Sequence, residues 1–206
     1  MDRNSGMINA HTFTHEAMKT TFTLRLIHSR VDHARDAANQ AFALIDEIEN
    51  ALSRYISGSD VSQINCMQSG QSLFISETCY ECMRIALKIY IDTDGLFDIT
   101  LGRQIEHQKN KLKGIAPVLE GQLMVDPDRP AIHCVEAGRE IDLGGIGKGY
   151  ALDRIAPLLR GLGIKSGLVS AGASTQLAFG ESAWKIELSG STDMPIVELK
   201  NQALSV

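Results

Sequence analysis

Ile141-Asp142-Leu143-Gly144-Gly145-Ile146-Gly147-Lys148-Gly149-Tyr150 runs from an apolar, strand-like end through four glycines within six residues, past a lysine and into a helix start. Glycines let backbone N–H groups approach an anion closely, a helix N-terminus supplies partial positive charge, and Lys148 adds a full one. The stretch therefore reads either as a phosphate cradle or as a tight turn that packs a helix on a sheet. It is not a P-loop, which would need glycine at 142 and Ser or Thr at 149 where this chain has Asp142 and Gly149. Gly145-Ile146-Gly147-Lys148-Gly149 only imitates a dinucleotide fingerprint, and repeated parallel crossovers are not apparent around it. Asp142, just ahead of the glycines, is placed to hold a metal or a polar ligand group.

Working outward, Ala131 to Val135 and Glu140 to Leu143 read as paired strands joined around Gly138. A helix follows from about Lys148 to Leu162, with Ala151, Leu152, Ile155, Leu158 and Leu159 on its apolar side. Short strands are expected at 167–171, 175–179, 184–188 and 196–199. Toward the N-terminus, Thr20 to Ile27 alternates Phe22, Leu24 and Leu26 with polar residues, the period of a half-buried strand. Asp32 to Leu52 repeats apolar residues at three and four, as an amphipathic helix does. A second helix is expected behind an N-cap at Ser76, ending before Asp94-Gly95. Residues 103–129 read as a surface excursion without regular structure, and 1–12 as disordered. The mixture predicts an α+β fold, a mixed or antiparallel sheet flanked by helices, in a single domain over 1–206.

The 206 residues are 44% hydrophobic and 22% charged, enough for a sizeable core. A formal charge of −5 gives no broad positive field for nucleic acid or anionic lipid, and no apolar run approaches the roughly 20 residues of a membrane span. The opening residues lack a signal-like apolar core, so the chain as written reads as cytoplasmic; removal of a targeting segment would make it extracytoplasmic. Four cysteines are too few for a disulfide framework, and Cys79 and Cys82 fall on the apolar side of the second helix, which favours burial over redox or metal chemistry. The six histidines give no support for a zinc site or a Ser-His-Asp nucleophile. Two further segments carry polar groups beside aromatic rings: Thr93-Asp94-Gly95-Leu96-Phe97-Asp98-Ile99-Thr100, where Asp98 either faces a ligand or caps its own backbone, and Ser53-Arg54-Tyr55 through Asn65, where Tyr55 either stacks on a planar ligand or packs at a rim.

In this order, Met18-Lys19-Thr20, Ser53-Arg54-Tyr55 through Asn65, Thr93 through Thr100, and Asp142 through Lys148-Gly149 to Asp153 resemble the motifs of the FAD:protein FMN transferase family, the ApbE-like proteins. The family's Met-Gly-Thr has Lys19 in place of glycine. The resemblance implies FAD as substrate, Mg²⁺ at its pyrophosphate, and transfer of FMN to a Thr or Ser hydroxyl of an acceptor protein with release of AMP. It implies Met18, Tyr55, Leu96, Phe97, Asp98, Asp142 and Lys148 as FAD contacts and a Gly145 carbonyl on the metal, while naming no catalytic residue here. It also implies further segments after the equivalent of Val206, including a late Asp and Thr on the metal, so the chain matches about the first two-thirds of the family's domain. From this come a weak or incomplete Mg²⁺ site and an open sheet edge for a second copy to cover. The alternatives are a non-catalytic FAD or nucleotide binder, a structural partner subunit, and an FAD pyrophosphatase.

Overall fold

A computed structural model describes residues 10–111, 114–187 and 196–205. The chain divides into two compact units, Met1–Asp46 with Lys148–Val206, and Glu47–Gly147.

In the first unit, β1 (Ala10–Ala17) and β2 (Thr20–Ile27) form a hairpin, and β6 (Ser166–Ala171), β7 (Thr175–Phe179) and β10 (Ala203–Ser205) extend it. The sheet order is β1-β2-β6-β7-β10, with every neighbouring pair antiparallel. The alternation in β2 does what its period implies: Phe22, Leu24 and Leu26 are fully buried, in register with Ala171, Val169 and Gly167. Gly167 is required there, because a Cβ would sit 2.9 Å from the Phe179 ring. Helix α1 (Val31–Leu52) begins in this unit, and its Phe42 stacks at 4.9 Å on His15 of β1. Helix α5 (Gly147–Gly161) brings Ala151, Leu152, Ile155 and Leu159 into the interior. His33 of α1 meets the Leu162 carbonyl just past α5 at 2.6 Å. On the other face, Leu168 and Ala178 pack with Trp184, Ile186 and Leu199 of the ribbon formed by β8 (Trp184–Glu187) and β9 (Ile196–Leu199). Ala10 to Thr12, expected to be disordered, belong to β1; residues 1–9 of that stretch lie outside the described residues.

The β1–β2 turn has only two residues, and Met18 and Lys19 both take left-handed backbone, φ 51° and 57°. This is the twist a two-residue hairpin needs, and side-chain-bearing residues meet it at a steric cost. Lys19→Gly is expected to stabilise the protein by about 1 kcal/mol, relief of the left-handed Cβ less the freedom glycine adds to the unfolded chain. Urea unfolding reads the effect; a lower midpoint at unchanged slope would contradict it.

The second unit holds α2 (Asp60–Ile64), β3 (Ser72–Phe74), α3 (Glu77–Asp92), α4 (Gly102–Lys109), β4 (Gln122–Val125) and β5 (Ala131–Glu136). Its sheet has the order β3-β5-β4, antiparallel throughout. Ser76 caps α3 by accepting the Cys79 N–H at 3.2 Å. Cys79 and Cys82 are buried as expected. Burial pushes the Cys82 thiol up to about 12 and Cys79 higher still, so both stay protonated and unreactive near neutrality.

Two expectations fail in this unit. Residues 103–129 contain α4 and β4 rather than an irregular excursion. Glu140 to Leu143 does not pair with β5, which lies between β3 and β4. Its backbone is held instead by the Asn65 amide, which donates to the Ile141 carbonyl at 3.0 Å and accepts the Ile141 N–H at 2.7 Å, and by Ile99, whose carbonyl accepts the Asp142 N–H at 2.8 Å. The backbone of 99–102 also pairs with this stretch in an isolated parallel bridge, Leu101 to Glu140, with the Gly102 N–H on the Glu140 carbonyl at 2.9 Å.

Between β4 and β5, the Asp126 carboxylate accepts from His133 at 3.0 Å, Arg129 at 2.9 Å and the Asp128 N–H at 3.1 Å. These bonds, His133 first, hold its carboxyl well below the usual carboxylate range. A carboxylate with a lowered folded pKa contributes stability above its unfolded value, near pH 4, that is lost as the solution is acidified below it. Melting temperatures between pH 6 and pH 3 are therefore expected to fall less steeply in Asp126→Asn than in the wild type; parallel curves would contradict this.

Candidate functional site

Each segment singled out by the sequence is built from identifiable local bonds. Thr93 Oγ1 donates to the Ile89 carbonyl at 2.8 Å and accepts the Phe97 N–H at 3.1 Å, folding the chain back after α3. Asp94 and Gly95 take φ of 49° and 81°, which makes the turn between them tight. Asp98 Oδ1 accepts the Thr100 N–H at 2.7 Å, and Thr100 Oγ1 accepts from Arg139 at 2.7 Å. Asp98 therefore caps its own backbone, with Arg139 at 3.9 Å from its other oxygen. Leu96 is 91% exposed at the tip, while Phe97 turns inward. Tyr55 is 53% exposed, with the Arg54 guanidinium 5.8 Å from its ring.

The glycine bend is open. Gly144 and Gly145 are exposed, and a Cβ on Gly147 would meet nothing within 4 Å. The Phe97 ring lies alongside, 3.2 Å from where a Cβ of Gly145 would stand. The bend also spends several of its amides internally: Gly144 N–H on Asp142 Oδ1 at 2.7 Å, and Ile146 and Gly147 N–H on the Leu143 carbonyl at 3.0 and 2.7 Å. Its capacity for an anion is thus narrower than four glycines suggested.

Beneath the bend lies a buried charge cluster that sequence reading missed. Arg54, 8% exposed, donates through Nη1 to the Gly102 carbonyl at 2.7 Å and through Nη2 to Glu140 at 2.6 Å and Glu106 at 2.9 Å. Asp142 is 6% exposed at its side chain, and its Oδ2 faces Arg54 Nη1 at 3.6 Å and Lys109 Nζ at 3.7 Å. Among the described residues no donor stands within hydrogen-bond distance of that oxygen. That oxygen is therefore paired by charge alone, which satisfies a buried carboxylate less fully than a hydrogen bond does. Gly102 is required for the cluster, since a Cβ there would come within 2.7 Å of the Glu140 carbonyl and 2.8 Å of Arg54.

The remaining residues named from sequence, Met18 and Lys148, belong to the first unit. Met18 is half-buried in the β1–β2 turn. Lys148 is half-buried at the start of α5, and its Nζ donates to Ser174 Oγ at 2.8 Å, in the turn between β6 and β7. Ser174 was not anticipated; it lies in the Ala171-Gly172-Ala173-Ser174-Thr175 turn between two expected strands. Gly172 in that turn has φ 62°, and a Cβ on it would press on Thr20 Oγ1 at 2.6 Å.

Asp98 and Thr100 also line a cavity of about 220 Å³ with Met83, Leu87 and Tyr90 of α3. It is smaller than the ~300 Å³ from which small-molecule sites usually start, so it does not house a flavin. The exposed bend leaves room for a polar ligand beside Asp142, whose Oδ2 meets Arg54 and Lys109 by charge alone. These residues fit Mg²⁺ poorly. Among the described residues no three of His, Cys, Asp and Glu come together to hold a metal ion. The Gly145 carbonyl alone does not meet a hard cation's need for about six oxygens, and two cations crowd the oxygen of the nearby Asp142. Among the described residues no helix is long and apolar enough to cross a membrane.

Comparison with known proteins places the chain in a family. Residues 18–206 match the model of the ApbE family. The chain is 29% identical over 185 residues to the FAD:protein FMN transferase of Buchnera aphidicola subsp. Schizaphis graminum, an alignment covering 78% of this chain and 54% of that protein. Its likeness to the Escherichia coli K12 protein of the same name is 27% over 175 residues, 72% of this chain and 48% of the relative. The chain thus spans about half the length of the curated relatives it matches. Among solved structures, the apo flavinyl transferase ApbE of Pseudomonas stutzeri superposes with a TM-score of 0.79 at 25% identity, covering 93% of this chain and 67% of that one. The ApbE protein of Thermotoga maritima shares the fold with a TM-score of 0.81 at 22% identity, over 95% and 69%. The α+β architecture of antiparallel sheets and helices is therefore the family's, and the chain belongs to the ApbE family.

Proposed function

We propose that this chain binds FAD and serves the transfer of its FMN moiety to a Thr or Ser hydroxyl of an acceptor protein. The observation that carries the reading is the Asp142 oxygen, next to an exposed glycine bend and between Arg54 and Lys109, with no hydrogen-bond donor among the described residues. Membership of a family whose curated relatives are FAD:protein FMN transferases supports the choice of ligand. In this proposal Asp142 accepts a donor from the flavin nucleotide, and Lys148, held by Ser174, meets the diphosphate. Met18, Tyr55, Leu96, Phe97 and Asp98 contribute the remaining contacts. For Tyr55 and Leu96 the support is exposure; for Asp98 one oxygen is already spent on Thr100.

In the transfer, the acceptor hydroxyl oxygen bonds to the riboflavin-side phosphorus as its proton passes to water, the phosphorus–oxygen bond of the diphosphate bridge breaks, and AMP leaves with the bridge oxygen. A lysine ammonium at that bridge offsets the negative charge that gathers on the departing phosphate.

The test supplies FAD, Mg²⁺ and a Thr- or Ser-bearing acceptor, then follows AMP by chromatography and covalent flavin by in-gel fluorescence. AMP appearing in step with flavin on the acceptor is the expected result. AMP without covalent flavin would make the chain a pyrophosphatase, and bound FAD with neither product a flavin-binding protein.

A further inference from the structure

The second unit contains a hydrogen-bonded Ser-His-Asp chain that histidine spacing did not foreshadow. Ser72 of β3 lies directly across from His133 of β5, and Ser72 Oγ is 2.7 Å from His133 Nδ1. His133 Nε2 is 3.0 Å from Asp126 Oδ2, and the Asp126 residue is buried. An ionised carboxylate only accepts, so the proton of a neutral His133 must sit on Nε2. That leaves the Nδ1 lone pair to accept the Ser72 hydroxyl proton, which is the orientation a general base needs. The bonds from His133, Arg129 and Asp128 favour the ionised form of Asp126, which keeps this tautomer in place.

The surroundings suit a reaction rather than a packing role. Ser72 is exposed. β3 is an edge strand, and the bond from Ile75 N–H to the Pro130 carbonyl puts the ladder pairs at alternate residues, so the Ser72 N–H points outward from the sheet. Phe74, 71% exposed, is on the same face two residues on, and the Arg129 guanidinium lies 5.6 Å from its ring. Met124, in register with His133, is exposed beside them. An apolar acyl group has Phe74 and Met124 to rest on, and an oxyanion has the Ser72 N–H and Arg129 within the same neighbourhood.

We propose that Ser72 is a nucleophile, with His133 as its general base and Asp126 as the residue that positions the imidazole, and that it accepts acyl groups from activated esters with an apolar acyl part. The Ser72 oxygen bonds to the carbonyl carbon while its proton moves to His133 Nδ1. Collapse of the tetrahedral adduct breaks the ester C–O bond, and the departing alcohol takes the proton from Nδ1. Water then attacks the acyl-serine; its proton passes through Nδ1 to Ser72 Oγ, and a carboxylic acid leaves. This chemistry needs no flavin and stands apart from the function proposed above.

The test labels the folded chain with a fluorophosphonate, which bonds to a serine oxygen as fluoride leaves, and locates the adduct by peptide mass spectrometry. Ser72 is expected to label at least tenfold faster than the exposed Ser57 and Ser205 in the same digest, and His133→Gln to slow Ser72 by about a hundredfold, the usual worth of a general base. Long-range ¹⁵N–¹H spectra of the wild type are expected to show His133 with its proton on Nε2, and Asp126→Glu to keep faster labelling than Asp126→Asn. Ser72 labelling no faster than Ser57 and Ser205, or a His133 proton found on Nδ1, would overturn the proposal. Both of those readings come from the wild-type chain, so they stand even where a variant fails to fold.

Discussion

Arg54→Ala is expected to destabilise the second unit by about 3 kcal/mol, the scale on which removal of one partner strands buried charge. The side chain is nearly inaccessible and satisfies the Gly102 carbonyl, Glu140 and Glu106 while facing Asp142. Its loss leaves two largely buried carboxylates, Glu140 and Asp142, whose remaining cations among the described residues are Arg103 at 3.1 Å from Glu140 and the exposed Lys109 at 3.7 Å from Asp142. It also removes the donor that ties the start of α4 to the rest of the unit. Arg54→Lys keeps the charge but not the planar fork that reaches three acceptors, so it should recover less than half of the loss. Urea unfolding of the three proteins at pH 7 measures this. An Arg54→Ala midpoint within error of the wild type would mean that the cluster is not the structural centre proposed for it.

The second large effect concerns ligand affinity. Asp142→Asn retains the oxygen that accepts the Gly144 N–H at 2.7 Å, so the bend should keep its shape. What changes is the other position, where an acceptor between two cations becomes an NH₂ donor. If a flavin-nucleotide donor bonds to that oxygen, FAD affinity should fall about tenfold to a hundredfold, the worth of a hydrogen bond to a charged group. A thermal melt run in parallel separates this from unfolding. Folded Asp142→Asn that binds FAD as tightly as the wild type would remove Asp142 from the site.

Much of the fold was legible because it is local. The period of two in Thr20–Ile27 and the three-and-four spacing of α1 need no partner to be recognised, and the N-cap at Ser76 shows in four residues. What escaped depends on distant chain. The eight residues of α4, Gly-Arg-Gln-Ile-Glu-His-Gln-Lys, are mostly polar, and Arg54, some 50 residues away, accounts for both a bond to its first turn and one to its Glu106. Glu140 to Leu143 carries a strand-like pattern whose partners turned out to be the 99–102 backbone, in an isolated parallel bridge, and the side chain of Asn65. The candidate site divides in the same way. Thr93, Gly95, Asp98 and the glycine bend announced themselves by spacing and prove to be built from near neighbours, whereas Arg54, Lys109 and Glu140 meet only through the fold. Ser72 and His133 meet likewise, 61 residues apart, which is why a histidine without suggestive spacing ends in a Ser-His-Asp chain.

The most direct measurement is calorimetric titration of the wild-type chain with FAD, without metal and then with Mg²⁺. Heat that saturates at one FAD per chain in both conditions is what the unengaged Asp142 oxygen and the open bend require. No saturable heat in either condition would contradict the assignment of this chain as a flavin-nucleotide binder.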